Sequence, residues 1–151
     1  MAWGTRAALA YSFLNSDKIL SAVFSDASIA SADVEAQRKG LKKAMARQEL
    51  MGIQKFELPK GWNEHINKKN ADLSLTAAAK FNLDKAVSSI SYPFLVMTGD
   101  HDPNLTSSKD IVSRSASGNL KILDDVGHGS VLQRPDLVLE NFLSWHNLEI
   151  L

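Results

Sequence analysis

Phe94-Leu95-Val96-Met97-Thr98, followed at once by Gly99-Asp100-His101-Asp102-Pro103, is a compact apolar run that ends in a polar turn. The run has the length of a β-strand, and Gly99 begins the turn beyond its carboxyl end. Downstream, 107–115 predicts a helix with Thr106 or Ser107 as N-cap, and Leu120-Lys121-Ile122-Leu123 predicts another short strand. The loop after that strand carries Gly127-His128-Gly129. Arg134-Pro135-Asp136 then opens a last helix, with proline suited to its first position and Val138, Phe142 and Trp145 on one face. Strand and helix alternate, and both polar turns fall at the carboxyl ends of strands. This is the pattern of an α/β layer with a parallel sheet.

Upstream, Leu9 with Phe13 and Ala10 with Leu14 stand at helical spacing within 4–15, and Asn15-Ser16-Asp17 breaks the pattern. Ile19-Leu20-Ser21-Ala22-Val23-Phe24, closed by Ser25-Asp26, reads as a strand buried on both faces. From 29 to 91 a more polar, helical region interrupts the alternation. Ser31-Ala32-Asp33-Val34-Glu35 predicts a helix start with Ser31 as N-cap, and Gly52 ends the helix near Met51. Arg38, Lys39, Lys42, Lys43 and Arg47 recur on one side of it and read as a solvated face. Pro59-Lys60-Gly61-Trp62-Asn63 marks a loop, and 72–81 predicts a second helix. The chain therefore divides into an α/β core, 1–28 with 92–151, and an insertion at 29–91.

The 151 residues are enough for one domain, and 44% hydrophobic with 23% charged residues is ordinary for a soluble globular chain. Seventeen basic and 17 acidic residues cancel, so no overall field draws the chain to nucleic acid or to an anionic membrane. The chain has no cysteine, which excludes disulfides, thiolate catalysis and cysteine-ligated metal. Arg6 and the apolar run after it imitate a signal peptide, but Asn15-Ser16-Asp17-Lys18 interrupts it too early. No apolar run approaches the roughly 20 residues needed to span a bilayer. The expectation is a cytoplasmic protein.

Ligands in open α/β sheets bind outside the carboxyl ends of the strands. Asp102 and His128 are separated by one helix and one strand, so a right-handed crossover sets their loops side by side. An aspartate bonded to one imidazole nitrogen fixes the tautomer and leaves the other nitrogen to take a proton from a nucleophile. Asp100 reads instead as a turn former bonded to backbone N–H groups. A metal site on Asp100-His101-Asp102 is not expected, because adjacent side chains in extended backbone point to opposite sides. No phosphate loop or dinucleotide fingerprint is present, so no cofactor is expected.

These residues resemble the α/β-hydrolase superfamily over nearly the whole chain. Gly99-Asp100-His101-Asp102-Pro103 looks like its acid turn, with Asp102 in the catalytic place, and Gly127-His128 with Gln133-Arg134-Pro135 looks like its histidine loop. The region 29–91 falls where many members insert a cap, from which Trp62 would line the pocket. Met1-Ala2-Trp3-Gly4-Thr5 aligns with the later part of the nucleophile elbow G-x-S-x-G. The resemblance implies a partial fold, with about three parallel strands where complete members have more. It also implies hydrolysis of a small, partly apolar ester- or amide-type substrate, with the Trp3 backbone N–H as one oxyanion donor.

Ala2 stands where the nucleophilic serine would be, and loss of that nucleophile costs a serine protease about a millionfold in turnover. This chain is accordingly expected to be inactive as written. Three explanations of Ala2 stand side by side. The chain is the later part of a serine hydrolase with an alanine by variation or design; or it is a pseudo-hydrolase that binds a small molecule or protein; or 1–6 resembles the elbow by accident. If the preceding strands are missing, the strand at 19–24 has an open edge that invites self-association.

Overall fold

Three parallel strands, β1 (Ala22–Ser25), β2 (Phe94–Gly99) and β3 (Gly118–Leu123), form one sheet in that order. The helices are α1 (Trp3–Leu14), α2 (Val34–Leu50), α3 (Leu83–Ser88), α4 (Leu105–Ser113), α5 (Ser130–Gln133) and α6 (Pro135–Glu149). This computed structural model describes residues 3–58, 60, 61, 64, 69, 70, 73, 76 and 80–149. Among them, no helix is long and apolar enough to cross a membrane.

β2 is buried at every position, as a central parallel strand must be when helices cover both faces. Successive side chains alternate between those faces. Phe94 and Val96 join Leu9 of α1, Phe24 of β1, Leu83 and Val87 of α3 and Ile111 of α4 in the larger core. Leu95 and Met97 point the other way, onto Trp145, Val138 and Phe142 of α6. The single helical face expected from Val138, Phe142 and Trp145 is the one that packs. Val23 pairs in register with Leu95 and shares its face, yet it is 37% exposed, so this side of β1 is incompletely covered.

Several boundaries differ from the sequence reading for physical reasons. β1 begins at Ala22 because 16–18 folds into a 3-10 turn, leaving Leu20 in solvent. The N-cap of α2 is Asp33, not Ser31: its carboxylate accepts the Ala36 N–H at 2.9 Å. α4 starts at Leu105, earlier than expected, with Asn104 rather than Thr106 or Ser107 at its N-cap. Most of the predicted helix 72–81 lies outside the described residues, as does Trp62.

α2 lies across the turns that follow β2 and β3. A side chain at Gly40 would put its Cβ 2.0 Å from the carbonyl oxygen of His101, and one at Gly127 would meet the Leu41 Cα at 2.6 Å. Arg47 of α2 also ion-pairs with Asp125, and the Gln48 amide donates to the Asp125 carbonyl at 2.7 Å. The basic side of α2 is thus partly committed to the loop below it.

Candidate active site

The turn after β2 is built on a close approach. Gly99 faces Val126 so tightly that a Cβ would lie 1.9 Å from the Val126 carbonyl oxygen. That carbonyl accepts the His101 N–H at 3.0 Å, while Asp100 N–H donates to the Leu123 carbonyl at 3.0 Å. Asp100 accepts the Val126 N–H at 3.1 Å, a backbone tie as expected, but one made to the other loop. Asp102 then turns inward with its side chain fully buried. Its Oδ1 accepts the Asn104 N–H at 2.9 Å, closing a turn on its own backbone.

The loop after β3 presents His128 to that carboxylate. Gly129 has φ of 93°, a left-handed conformation that glycine adopts freely, and it starts α5. Gln133 reaches back from α5, accepting the Gly127 N–H at 3.0 Å and donating to the His128 carbonyl at 2.7 Å. The imidazole Nδ1 lies 3.2 Å from Asp102 Oδ1 and 3.1 Å from Oδ2. Burial tends to lower the His128 pKa, but hydrogen bonding and charge from Asp102, with the charge of Asp26, hold it above its ordinary value. A proton on Nδ1 is therefore held by Asp102, leaving Nε2 as the basic nitrogen.

His128 borders two cavities. One, of about 420 Å³, is lined by Trp3, Arg6, Ser28, Gln37 and Asn104 among others. The second, of about 210 Å³, lies between α2 and α5 and is more apolar, with Leu41, Met45, Phe56, Leu58 and Leu132 in its wall. Trp3 opens α1 at the edge of the first cavity, where the leading N–H groups of a helix have no partner within the helix. Ala2, immediately before it, lies outside the described residues.

Two features escaped the sequence reading. Asp100 and His101 converge with Asp125, one potential ligand atom from each lying within 4.8 Å of the others. Asp125 comes from the other loop, beyond the reach of any rule about adjacent side chains, and Arg47 ion-pairs with it. The second is Asp26, which the sequence presents only as the end of a strand. It is fully buried, with burial first and the charge of Asp102 second in pushing its pKa up to about 6. Its signal was positional: like Asp102 and His128, it follows the carboxyl end of a strand.

No family model matches the chain, and no curated protein matches it in sequence. Solved structures do match. The enol-lactonase from Burkholderia xenovorans LB400 superimposes with TM-score 0.69 at 17% identity, over 97% of this chain and 64% of that one. A serine hydrolase involved in carbazole degradation gives 0.62 at 16%, over 97% and 61%. MGS-M2, an α/β hydrolase enzyme from a Medee basin deep-sea metagenome library, gives 0.58 at 14%, over 99% and 64%. These likenesses establish the fold: the chain has a partial α/β-hydrolase fold. It spans less than two thirds of the length of each of these proteins.

Proposed function

We propose that this chain carries the acid and base of a hydrolase that, when complete, cleaves a small, partly apolar ester- or amide-type substrate by a Ser-His-Asp mechanism. The observation that carries this reading is the contact of His128 Nδ1 with both oxygens of buried Asp102, beside a cavity that Trp3 also borders. With a hydroxyl at position 2, His128 Nε2 takes its proton as the oxygen attacks the substrate carbonyl. Asp102 stabilises the imidazolium, and the Trp3 N–H donates to the oxyanion. His128 returns the proton to the leaving group, and water releases the acyl group by the same steps. The mechanism calls for no metal or cofactor. In this reading 29–91 is the cap, with Trp62 lining the substrate pocket, and the protein is cytoplasmic.

As written, with Ala2, the chain forms no acyl-enzyme. A sequence with alanine at position 2 that nonetheless keeps the Asp102–His128 pair and its cavity favours a second reading, a non-catalytic protein that binds a small molecule or a protein partner. One experiment separates the two. Ala2→Ser is assayed with a chromogenic short-chain ester, alone and with the preceding half of a hydrolase of this fold supplied as a separate fragment. Turnover only in the complemented variant supports the hydrolase. A folded, complemented Ala2→Ser chain that binds the ester without cleaving it supports the binding protein.

We further propose that the outer edge of β1 is an association surface. β1 pairs with β2 alone among the described residues, and exposed Val23 and Leu20 stand beside that edge. The expected result in light scattering is a dimer or larger species that the complementing fragment dissolves. A monomer at every concentration would sink this idea.

A further inference from the structure

We propose that Asp26 is a positioning residue of this site, which holds a proton in a closed ring with Ser25 and Ser130 and through Ser130 fixes the loop carrying His128. Counting hydrogens leads there. Ser25 Oγ and Ser130 Oγ lie 2.9 Å apart, and they lie 3.0 and 3.1 Å from Asp26 Oδ2. Three oxygen–oxygen contacts of that length call for three hydrogens, one along each edge. The two hydroxyls supply two. An ionised Asp26 supplies none and leaves one pair of oxygens facing lone pair to lone pair, whereas the carboxylic acid closes the ring. Asp26 Oδ1 makes the same case: it is buried with no hydrogen-bond partner among the described residues, a far costlier place for an anionic oxygen than for the carbonyl oxygen of a neutral acid.

The ring is tied to the elements around His128. Ser130, the first residue of α5, donates its N–H to Asp26 Oδ2 at 3.0 Å. The Asp26 N–H donates to the Met97 carbonyl at 2.8 Å, and its own carbonyl accepts the Asn104 amide at 3.1 Å. Asp26 is thus where β1, the acid turn and the histidine loop meet, and it holds a left-handed φ of 54° to do so. The charged groups acting on it are Asp102, from the turn after β2, and His128, from the turn after β3. α1 brings Arg6 to the same loop, where it donates to the Ser28 and Ala30 carbonyls.

Loss of the proton opens the ring and sets a second negative charge near His128. That charge favours the imidazolium, so His128 is a weaker base while Asp26 is neutral and a stronger one after it ionises. The inference rests on reading His128 as the base, but its test requires no turnover, so its failure and a failed esterase assay are distinct results.

The test is NMR of the chain as it stands, with 13C-labelled aspartate carboxyls and the histidine ring followed together from about pH 4 to about pH 9. The expected Asp26 carboxyl titrates well above the ordinary aspartate range, and the His128 curve inflects at the same pH. Asp26→Asn keeps an oxygen for Ser130 but has no charge to gain. In it the inflection is absent and the His128 midpoint falls, whereas in Asp26→Ala the Ser130 amide also loses its protection from exchange. An Asp26 carboxyl already ionised at about pH 5, or a His128 curve that ignores it, overturns the proposal. The parent chain alone decides this where a variant does not fold.

Discussion

Asp102→Asn, introduced beside Ala2→Ser in the complemented chain, should lower turnover of the chromogenic ester about 10⁴-fold, or about 5.5 kcal/mol of transition-state stabilisation. The size of the effect comes from which nitrogen carries the proton. Both Asp102 oxygens face His128 Nδ1, so the carboxylate binds an N–H there and keeps Nε2 free to accept a proton. An asparagine amide can retain the oxygen that accepts the Asn104 N–H, but it then offers its own N–H groups to Nδ1. The imidazole responds by protonating Nε2, the wrong side for a base. Folding should change much less, since shape and the Asn104 contact survive. A loss of tenfold or less, in a chain whose stability is unchanged, would mean that Asp102 is not the acid.

The second large effect is on folding. Gly99→Ala should destabilise the chain by about 3 kcal/mol, at the upper end for an overpacked site. Its methyl would lie 1.9 Å from the Val126 oxygen and 2.4 Å from the Val126 carbonyl carbon, backbone atoms that cannot rotate away. The His101 N–H bond to that same oxygen would go with the displacement, and the acid turn would part from the histidine loop. Urea unfolding measures the first effect, and the His128 titration measures the second as a fall toward the ordinary histidine value. Gly4→Ala serves as the control, because its Cβ meets nothing within 4 Å and alanine favours the helix by up to about 1 kcal/mol. If both variants unfold at the same urea concentration, the close approach at Gly99 does not limit stability.

What could be read from the sequence follows from how local each feature is. β2 was legible because a strand buried on both faces is dominated by apolar side chains, and 94–97 is apolar without help from the rest of the chain. The pairing of Asp102 with His128 was legible because one crossover connects their loops. The start of β1 was not, because Ile19 and Leu20 look like strand residues until the 3-10 turn before them is known. Asp26 was least legible of all. Two of its side-chain hydrogen bonds come from Ser130, 104 residues away, and no spacing rule reaches so far.

Gly40 within α2 and Gly127 beneath it have a mechanical consequence. Gly40 rests on the His101 carbonyl and Gly127 on the Leu41 backbone, so at these two points main chain meets main chain. Main chain pressed on main chain is stiff. A side chain at either glycine would therefore prise α2 away from the turns that carry Asp102 and His128, so these two positions set how closely the insertion can sit over the site.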